Sequence, residues 1–124
     1  MQFSQWGEEP AHTGYDTEKL LQIGRATVDL PSDFNVHPRL RKMFIEPRLK
    51  SIESGKIDWA TAEAMALGSL AFEGFNSRLV GEDSERGTFS QRHGVFTDQE
   101  TSKPFCSLSQ ASYMKANLKG RMTI

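Results

Sequence analysis

The sequence predicts a small α/β unit, and three observations carry that expectation. An apolar, Ala- and Gly-rich helix over Asp58–Glu73 leads into a candidate strand within Phe75–Val80. The strand runs straight into a polar loop, Gly81–Gly94, that holds three glycines. A helix, a strand and a polar loop at the strand's C-terminal end is the order in which open α/β sheets build ligand sites. A length of 124 residues allows one small domain and excludes a large multidomain enzyme within this chain alone.

Composition narrows the functional classes. Hydrophobic residues make up 37% and charged residues 25%, and eight Phe and two Trp can seed a core, which argues against wholesale disorder. Fifteen Lys and Arg against sixteen Asp and Glu give a formal charge of −1. That balance offers no global field to draw in nucleic acid or an anionic membrane. No apolar run is long enough to cross a bilayer. Met1–Pro10 has neither the basic start and apolar stretch of a signal peptide nor the Arg-rich character of a transit peptide. The single cysteine, Cys106, excludes an internal disulfide and a Cys-only metal site.

The elements follow in order. The first fifteen residues, rich in Gly, Pro, Ser and acid, read as an extended arm. Asp16 is a candidate N-cap for a short helix carrying Leu20, Leu21 and Ile23, with Gly24 as its end. Thr27–Pro31 reads as extended, because Pro31 pushes Leu30 away from helical angles. Pro38–Ser54 reads as helix, with Pro38 in its first turn and Gly55 at its C-cap. Pro47 predicts a kink or break near Met43–Glu46. Arg39, Arg41, Lys42, Arg48 and Lys50 surround an apolar stripe of Leu40, Phe44, Leu49 and Ile52. They could form a nucleic-acid stripe, but the neutral net charge favours a solvated helix face.

Asp58 can cap the next helix, which Gly74 ends. That helix is apolar nearly all round, which predicts burial, with small residues that admit another backbone. Glu63 is the exception, and two readings stay open: a paired buried carboxylate, or one at the helix edge facing water. Val95–Thr97 and Phe105–Leu108 are candidate strands joined by a turn over Asp98–Lys103. The last sixteen residues show no convincing period.

The chemistry-bearing residues concentrate in Gly81–Gly94, where Phe89 alone is apolar. Arg86 and Arg92 offer planar forks of donors for an anion, and His93 can donate, accept or titrate near neutrality. Gly81, Gly87 and Gly94 permit turns closed to other residues. The same acids and arginines could instead satisfy one another as a structural ion-pair network. His12, His37 and His93 with one Cys have no recognisable zinc-ligand spacing, and Cys106 reads as a small packed residue rather than a nucleophile. No Walker loop, Gly-x-Ser-x-Gly or dinucleotide fingerprint is present.

Two runs carry a family resemblance: Lys56-Ile57-Asp58-Trp59-Ala60-Thr61-Ala62-Glu63-Ala64-Met65-Ala66-Leu67-Gly68-Ser69-Leu70, and Arg78-Leu79-Val80-Gly81-Glu82-Asp83-Ser84-Glu85-Arg86-Gly87-Thr88-Phe89-Ser90-Gln91-Arg92-His93. They resemble the thiamine-diphosphate-dependent first component of the 2-oxoglutarate dehydrogenase complex. Asp58–Ala64 with Gly74-Phe75-Asn76 points to its mitochondrial 2-oxoadipate-type paralogue. The resemblance covers nearly the whole chain, less tightly at the ends.

It implies a partial transketolase-like, pyrimidine-binding domain beginning at 55, preceded over 1–54 by an inter-domain arm and linker helices. It implies oxidative decarboxylation of a 2-oxo acid with thiamine diphosphate and magnesium, and acyl transfer to a lipoyl group. The implied partners are the remainder of the parent enzyme, a second copy of it, and a lipoyl-bearing transferase, with no nucleic acid and no membrane. The implied location is the mitochondrial matrix, in the tricarboxylic acid cycle or lysine degradation.

In the family the glutamate that activates the aminopyrimidine lies in a Leu-Ser-Glu motif a little beyond this region. The diphosphate–magnesium site and the substrate-binding histidines lie in parts not represented here. No catalytic residue is therefore carried over, and the isolated chain is expected to be inactive. Asp83, Arg86, Gly87, Thr88, Arg92 and His93 match and are expected to line or shape the active-site cleft. The alternative is a non-catalytic interaction module or split-gene piece that pairs with the rest of the enzyme.

Overall fold

A computed structural model describes residues 11–114 and 122–124. Most of the expected N-terminal arm lies outside the described residues, and 11–15 have no regular secondary structure. Helix α1, Thr17–Ala26, begins at Asp16, whose side chain accepts the Lys19 amide at 2.9 Å. It does not stop at Gly24, which corrects the sequence expectation. The helix runs on because Thr27 closes it, with its amide bonding Ile23 O and its Oγ1 donating to Gly24 O at 2.6 Å. Gly24 serves packing instead. A Cβ there would lie 3.2 Å from Ile52 Cδ1, so its missing side chain lets α1 sit close against the later helix that carries Ile52. The Thr27–Pro31 stretch opens as a turn at Thr27 and Val28 and is non-regular only after that.

The kink expected from Pro47 is a change of helix type. Helix α2, Pro38–Leu40, passes through a π-helical segment, Arg41–Ile45, into α3, Glu46–Ser54. The Glu46 amide bonds Arg41 O, five residues back. Pro47 has no amide to donate, and its ring would strike the carbonyl four residues earlier in an α-turn. One extra residue in the turn relieves that clash without breaking the rod. Gly55 then ends α3 in the left-handed region, φ 71°. The basic residues divide: Arg39, Arg41, Lys42 and Lys50 are exposed, whereas Arg48 is buried at 5% exposure.

Helix α4, Trp59–Phe72, is capped by Asp58, whose Oδ1 accepts the Thr61 amide at 2.8 Å. The hydrogen bonds from Thr61 hold the Asp58 carboxyl below its ordinary range. α4 packs against α1 and against a 3-10 helix, Ser107–Met114. The expectation of all-round burial is half right. Thr61, Ala64, Met65, Gly68 and Ala71 are buried, but Trp59 is 93% exposed and Leu70 40% exposed on the other side.

Strand β1 is shorter than expected, Ser77–Arg78. It pairs in parallel with β4, Met122–Thr123, in the register Ser77 to Met122 and Arg78 to Thr123. Parallel pairing of a strand that follows a helix is the α/β arrangement. Strands β2, Val95–Thr97, and β3, Pro104–Cys106, form the expected hairpin with Phe96 opposite Phe105, but the second strand ends at Cys106 because Ser107 and Leu108 begin the 3-10 helix. One core cluster gathers Val28, Ile45 and Phe96 with Leu30, Phe34, Phe44 and Leu49 around them. Another joins Ala64 and Leu108 with Leu67, Leu79, Cys106 and Ile124.

Asp98 ties the hairpin turn to the segment before α2. Its carboxylate accepts the amides of Asn35, Glu100 and Thr101 at 2.8–2.9 Å, and Asn35 O accepts the Gln99 amide in return. Those backbone donors, that of Asn35 first, hold its pKa down to about 2. A carboxyl whose folded pKa lies below its unfolded value of about 3.9 stabilises the fold above that value and loses its contribution as pH falls toward 2. The stability gap between wild type and Asp98→Asn should therefore shrink between pH 5 and pH 2 in urea titrations. A gap constant with pH would refute the assignment. Separately, Gly24→Leu should cost about 1–3 kcal/mol by overpacking the contact with Ile52, read as a lower urea midpoint. An unchanged midpoint would show that the contact yields freely.

Candidate functional site

Gly81–Gly94 leaves β1 and folds back on itself through backbone bonds. Gly87 N–H donates to Asp83 O, Arg92 and His93 N–H both donate to Arg86 O, and Gly94 N–H donates to Glu85 O. A loop that closes on its own carbonyls needs tight turns, and Asp83, Ser90 and His93 take left-handed φ values of 54°, 57° and 39°. Each such residue stores on the order of 1 kcal/mol or more of strain. Strain of this kind persists only where the surroundings over-determine it.

Gly87 is one position where the loop requires glycine. It is buried at φ 85°, and the Gln91 side chain folds over it, so an added Cβ would meet Gln91 Oε1 at 2.5 Å. That oxygen is held in place by the Phe89 amide at 2.9 Å. Thr88 and Phe89 sit on the exposed outer turn.

The two loop arginines take different partners. Arg86 pairs with Asp83 within the loop, Nη2 to Oδ2 at 2.6 Å, and this exposed bond raises its pKa. An exposed pair of this kind is screened by water and adds little to stability. Arg92 reaches out of the loop. Its Nε meets Glu63 Oε1 at 2.6 Å, its Nη2 meets Oε2 at 3.3 Å, and its Nη1 donates to Ser84 O at 2.9 Å. The bond to Glu63 raises the Arg92 pKa. Glu63 is therefore not buried, which settles the two readings in favour of the exposed edge of α4, where it faces water and also pairs with Arg92.

His93 closes the loop on its inner side. Its ring meets Phe44 edge-on at 4.7 Å and stacks near Phe96 at 6.5 Å. Burial, then the charges of Arg48 and Arg86, lower its pKa. All three effects favour the neutral imidazole.

The structure thus separates the six singled-out residues. Gly87, Arg92 and His93 form the packed interior of the loop, while Asp83, Arg86 and Thr88 form its exposed rim. Three contributors fall outside the expected set: Gln91, Glu63 as the receiver of Arg92, and Arg48. Arg48 lies over the Phe44 ring at 4.2 Å and donates to Gln91 O at 2.9 Å and Arg92 O at 3.4 Å. Its only signal in the sequence is the spacing of four from Phe44, which puts both on one helix face. A small cavity of about 170 Å³ lies beside it, with Asp58, Thr61 and Gln91 on its polar side.

Residues 55–121 match the family of the transketolase pyrimidine-binding domain. The chain is 46% identical over 97 residues to a probable 2-oxoadipate dehydrogenase complex component E1 homolog of Dictyostelium discoideum, covering 78% of this chain and 11% of that protein. It is 42% identical over 113 residues to the 2-oxoadipate dehydrogenase complex component E1 of Mus musculus, covering 90% and 12%. It is 48% identical over 98 residues to the 2-oxoglutarate dehydrogenase E1 component of Brucella ovis, covering 78% and 10%. The chain spans about a tenth of the length of these curated relatives. With helix α4, strand β1 and the folded loop all inside the matched region, the chain belongs to the transketolase pyrimidine-binding domain family.

Proposed function

We propose that this chain is part of a thiamine-diphosphate-dependent 2-oxo acid dehydrogenase acting on 2-oxoglutarate or 2-oxoadipate. In this reading residues 55–124 open its pyrimidine-binding domain and 1–54 are the arm and linker helices before it. The carrying observation is the Gly81–Gly94 loop. It lies in the matched region, at the C-terminal end of β1, where ligands bind in α/β sheets. It is also held in strained turns by long side chains from two helices. Asp83, Arg86, Gly87, Thr88, Arg92 and His93 line or shape the cleft, without a catalytic step assigned to any of them.

The described residues do not fit a complete cofactor anchor. A diphosphate calls for free cationic donors or a metal, but Arg86, Arg92 and Arg48 are each committed to protein oxygens. Among the described residues no group of three His, Cys, Asp or Glu side chains could hold a metal ion. Ser107 Oγ is buried without a hydrogen-bond partner among them, but a lone neutral hydroxyl is no diphosphate site. In this proposal thiamine diphosphate and magnesium are held mainly by other parts of the parent enzyme. The acyl group passes to a lipoyl-bearing transferase, the parent is a homodimer, and the setting is the mitochondrial matrix. No described helix is long and apolar enough to cross a membrane.

A second reading, a non-catalytic module that pairs with the rest of the enzyme, is favoured by the bare face of α4. Trp59, Ala62, Ala66 and Leu70 are all exposed there, beside a groove edged by Glu63 and Gln91. A monomer in light scattering with a cooperative melt would count against it.

Calorimetric titration of the 124-residue chain with thiamine diphosphate and magnesium tests the first reading. Binding should be weak or undetectable, because the anchoring groups lie elsewhere. Tight binding by this chain alone would sink the proposal.

A further inference from the structure

We infer that Arg48 is the positioning residue of the Gly81–Gly94 loop. From a helix that precedes the matched domain, its guanidinium fixes the two peptide planes on either side of Arg92. It thereby holds His93 in its left-handed, ring-packed conformation. The inference rests on reading this loop as the cleft-shaping part of the site, but its test does not depend on the cofactor.

Three observations converge on Arg48. It is 5% exposed, and a buried cation is tolerated only when its donors are satisfied. It makes neither of the ion pairs found among the described residues, which are Arg86–Asp83 and Arg92–Glu63. Its donors go instead to two successive carbonyls, Gln91 O and Arg92 O. The Arg92 carbonyl belongs to the peptide that precedes His93, so the direction in which it points sets the φ of 39° at His93. The same guanidinium lies on Phe44, and Phe44 is the ring that His93 meets edge-on. Arg48 therefore holds the histidine's backbone and, through Phe44, one wall of its ring pocket.

The chemistry calls for arginine. Two carbonyls and an aromatic face need a planar fork, and an ammonium is a point charge. Burial lowers the Arg48 pKa to about 10, so the charge is still in place at neutral pH. Glu63 grips the loop from α4 through the Arg92 side chain and touches neither peptide plane; Arg86 O holds their N–H sides, and Arg48 holds their carbonyl sides. The charged groups facing His93 are Arg48 from α3 and Arg86 from its own loop, while Phe44 and Phe96 supply apolar walls.

The test is amide hydrogen exchange by NMR on the 124-residue chain, comparing wild type with Arg48→Met and Arg48→Lys. The amides of Arg92, His93 and Gly94 report the loop, and those of Ala64, Met65 and Gly68 in α4 serve as the internal reference. Arg48→Met should speed exchange at 92–94 by roughly ten- to a hundredfold, the loss expected when bonds from a charged donor disappear. The α4 amides should change little. The His93 ring should titrate at higher pH in Arg48→Met, since both the burial and the neighbouring charge are reduced. Arg48→Lys should loosen 92–94 by less than Arg48→Met and should leave α4 intact. Unchanged protection at 92–94 in Arg48→Lys would overturn the assignment, as would acceleration matched by α4. Unfolding of the chain in both variants would overturn it as well, because Arg48 would then support the fold and not the loop. Failure of the thiamine reading would appear in the calorimetry and leave these exchange rates unaltered.

Discussion

Pro47 has no amide hydrogen, and much of the molecule's arrangement follows from how the chain accommodates that. The turn before it widens by one residue, and the Glu46 amide reaches back to Arg41 O. Widening a turn rotates everything on the C-terminal side relative to the N-terminal side. In this chain it leaves Phe44 on the π segment and Arg48 on α3 stacked one over the other, facing the loop after β1. The wider turn admits the proline and keeps Phe44 and Arg48, four residues apart, on one face. Phe44 also belongs to the periphery of the Val28, Ile45 and Phe96 cluster, so the irregular turn is anchored in the core as well as in the loop.

Helix α4 links that anchor to the sheet. Its buried side packs Ala64 against Leu108 and Leu79, while its edge presents Glu63 to Arg92. The loop is thus held between two helices by two arginines of opposite logic. One is buried and spends its donors on backbone carbonyls. The other is on the loop and reaches outward to a carboxylate. Replacing either arginine alone would leave part-buried carbonyls or a carboxylate without a donor.

Local signals in the sequence were legible where backbone chemistry dictates structure. Asp16 and Asp58 cap helices, Gly55 ends one in the left-handed region, Pro47 distorts one, and the β2–β3 hairpin turns at Asp98. Errors came where tertiary contact overrides a local rule. Gly24 reads as a stop signal, but Ile52 uses it as a contact surface. The composition of α4 reads as fully buried, yet the described residues pack against one side of it, and Trp59 is exposed. Within the loop, composition pointed to arginines, a histidine and glycines but could not say which arginine pairs with which acid. The reach of Arg92 to Glu63 crosses most of α4 and all of β1, and no spacing rule connects residues so far apart. Arg48 reads as solvated because the basic residues around it in sequence, Arg41, Lys42 and Lys50, are exposed.

The pairing of Ser77 with Met122 has a kinetic consequence. The clamps on the loop close comparable lengths of chain: Arg48 reaches Gln91 43 residues away, and Gly94 at the loop's end also meets Leu108 and Ile124. The strand that completes β1 arrives only with Met122–Thr123, after the hairpin and the 3-10 helix have been laid down. Non-local parallel pairing is slow to form because its loop-closure entropy comes first. The clamped loop closes a similar span at a similar entropic cost, so loop and sheet should form together, each holding the other's ends in place.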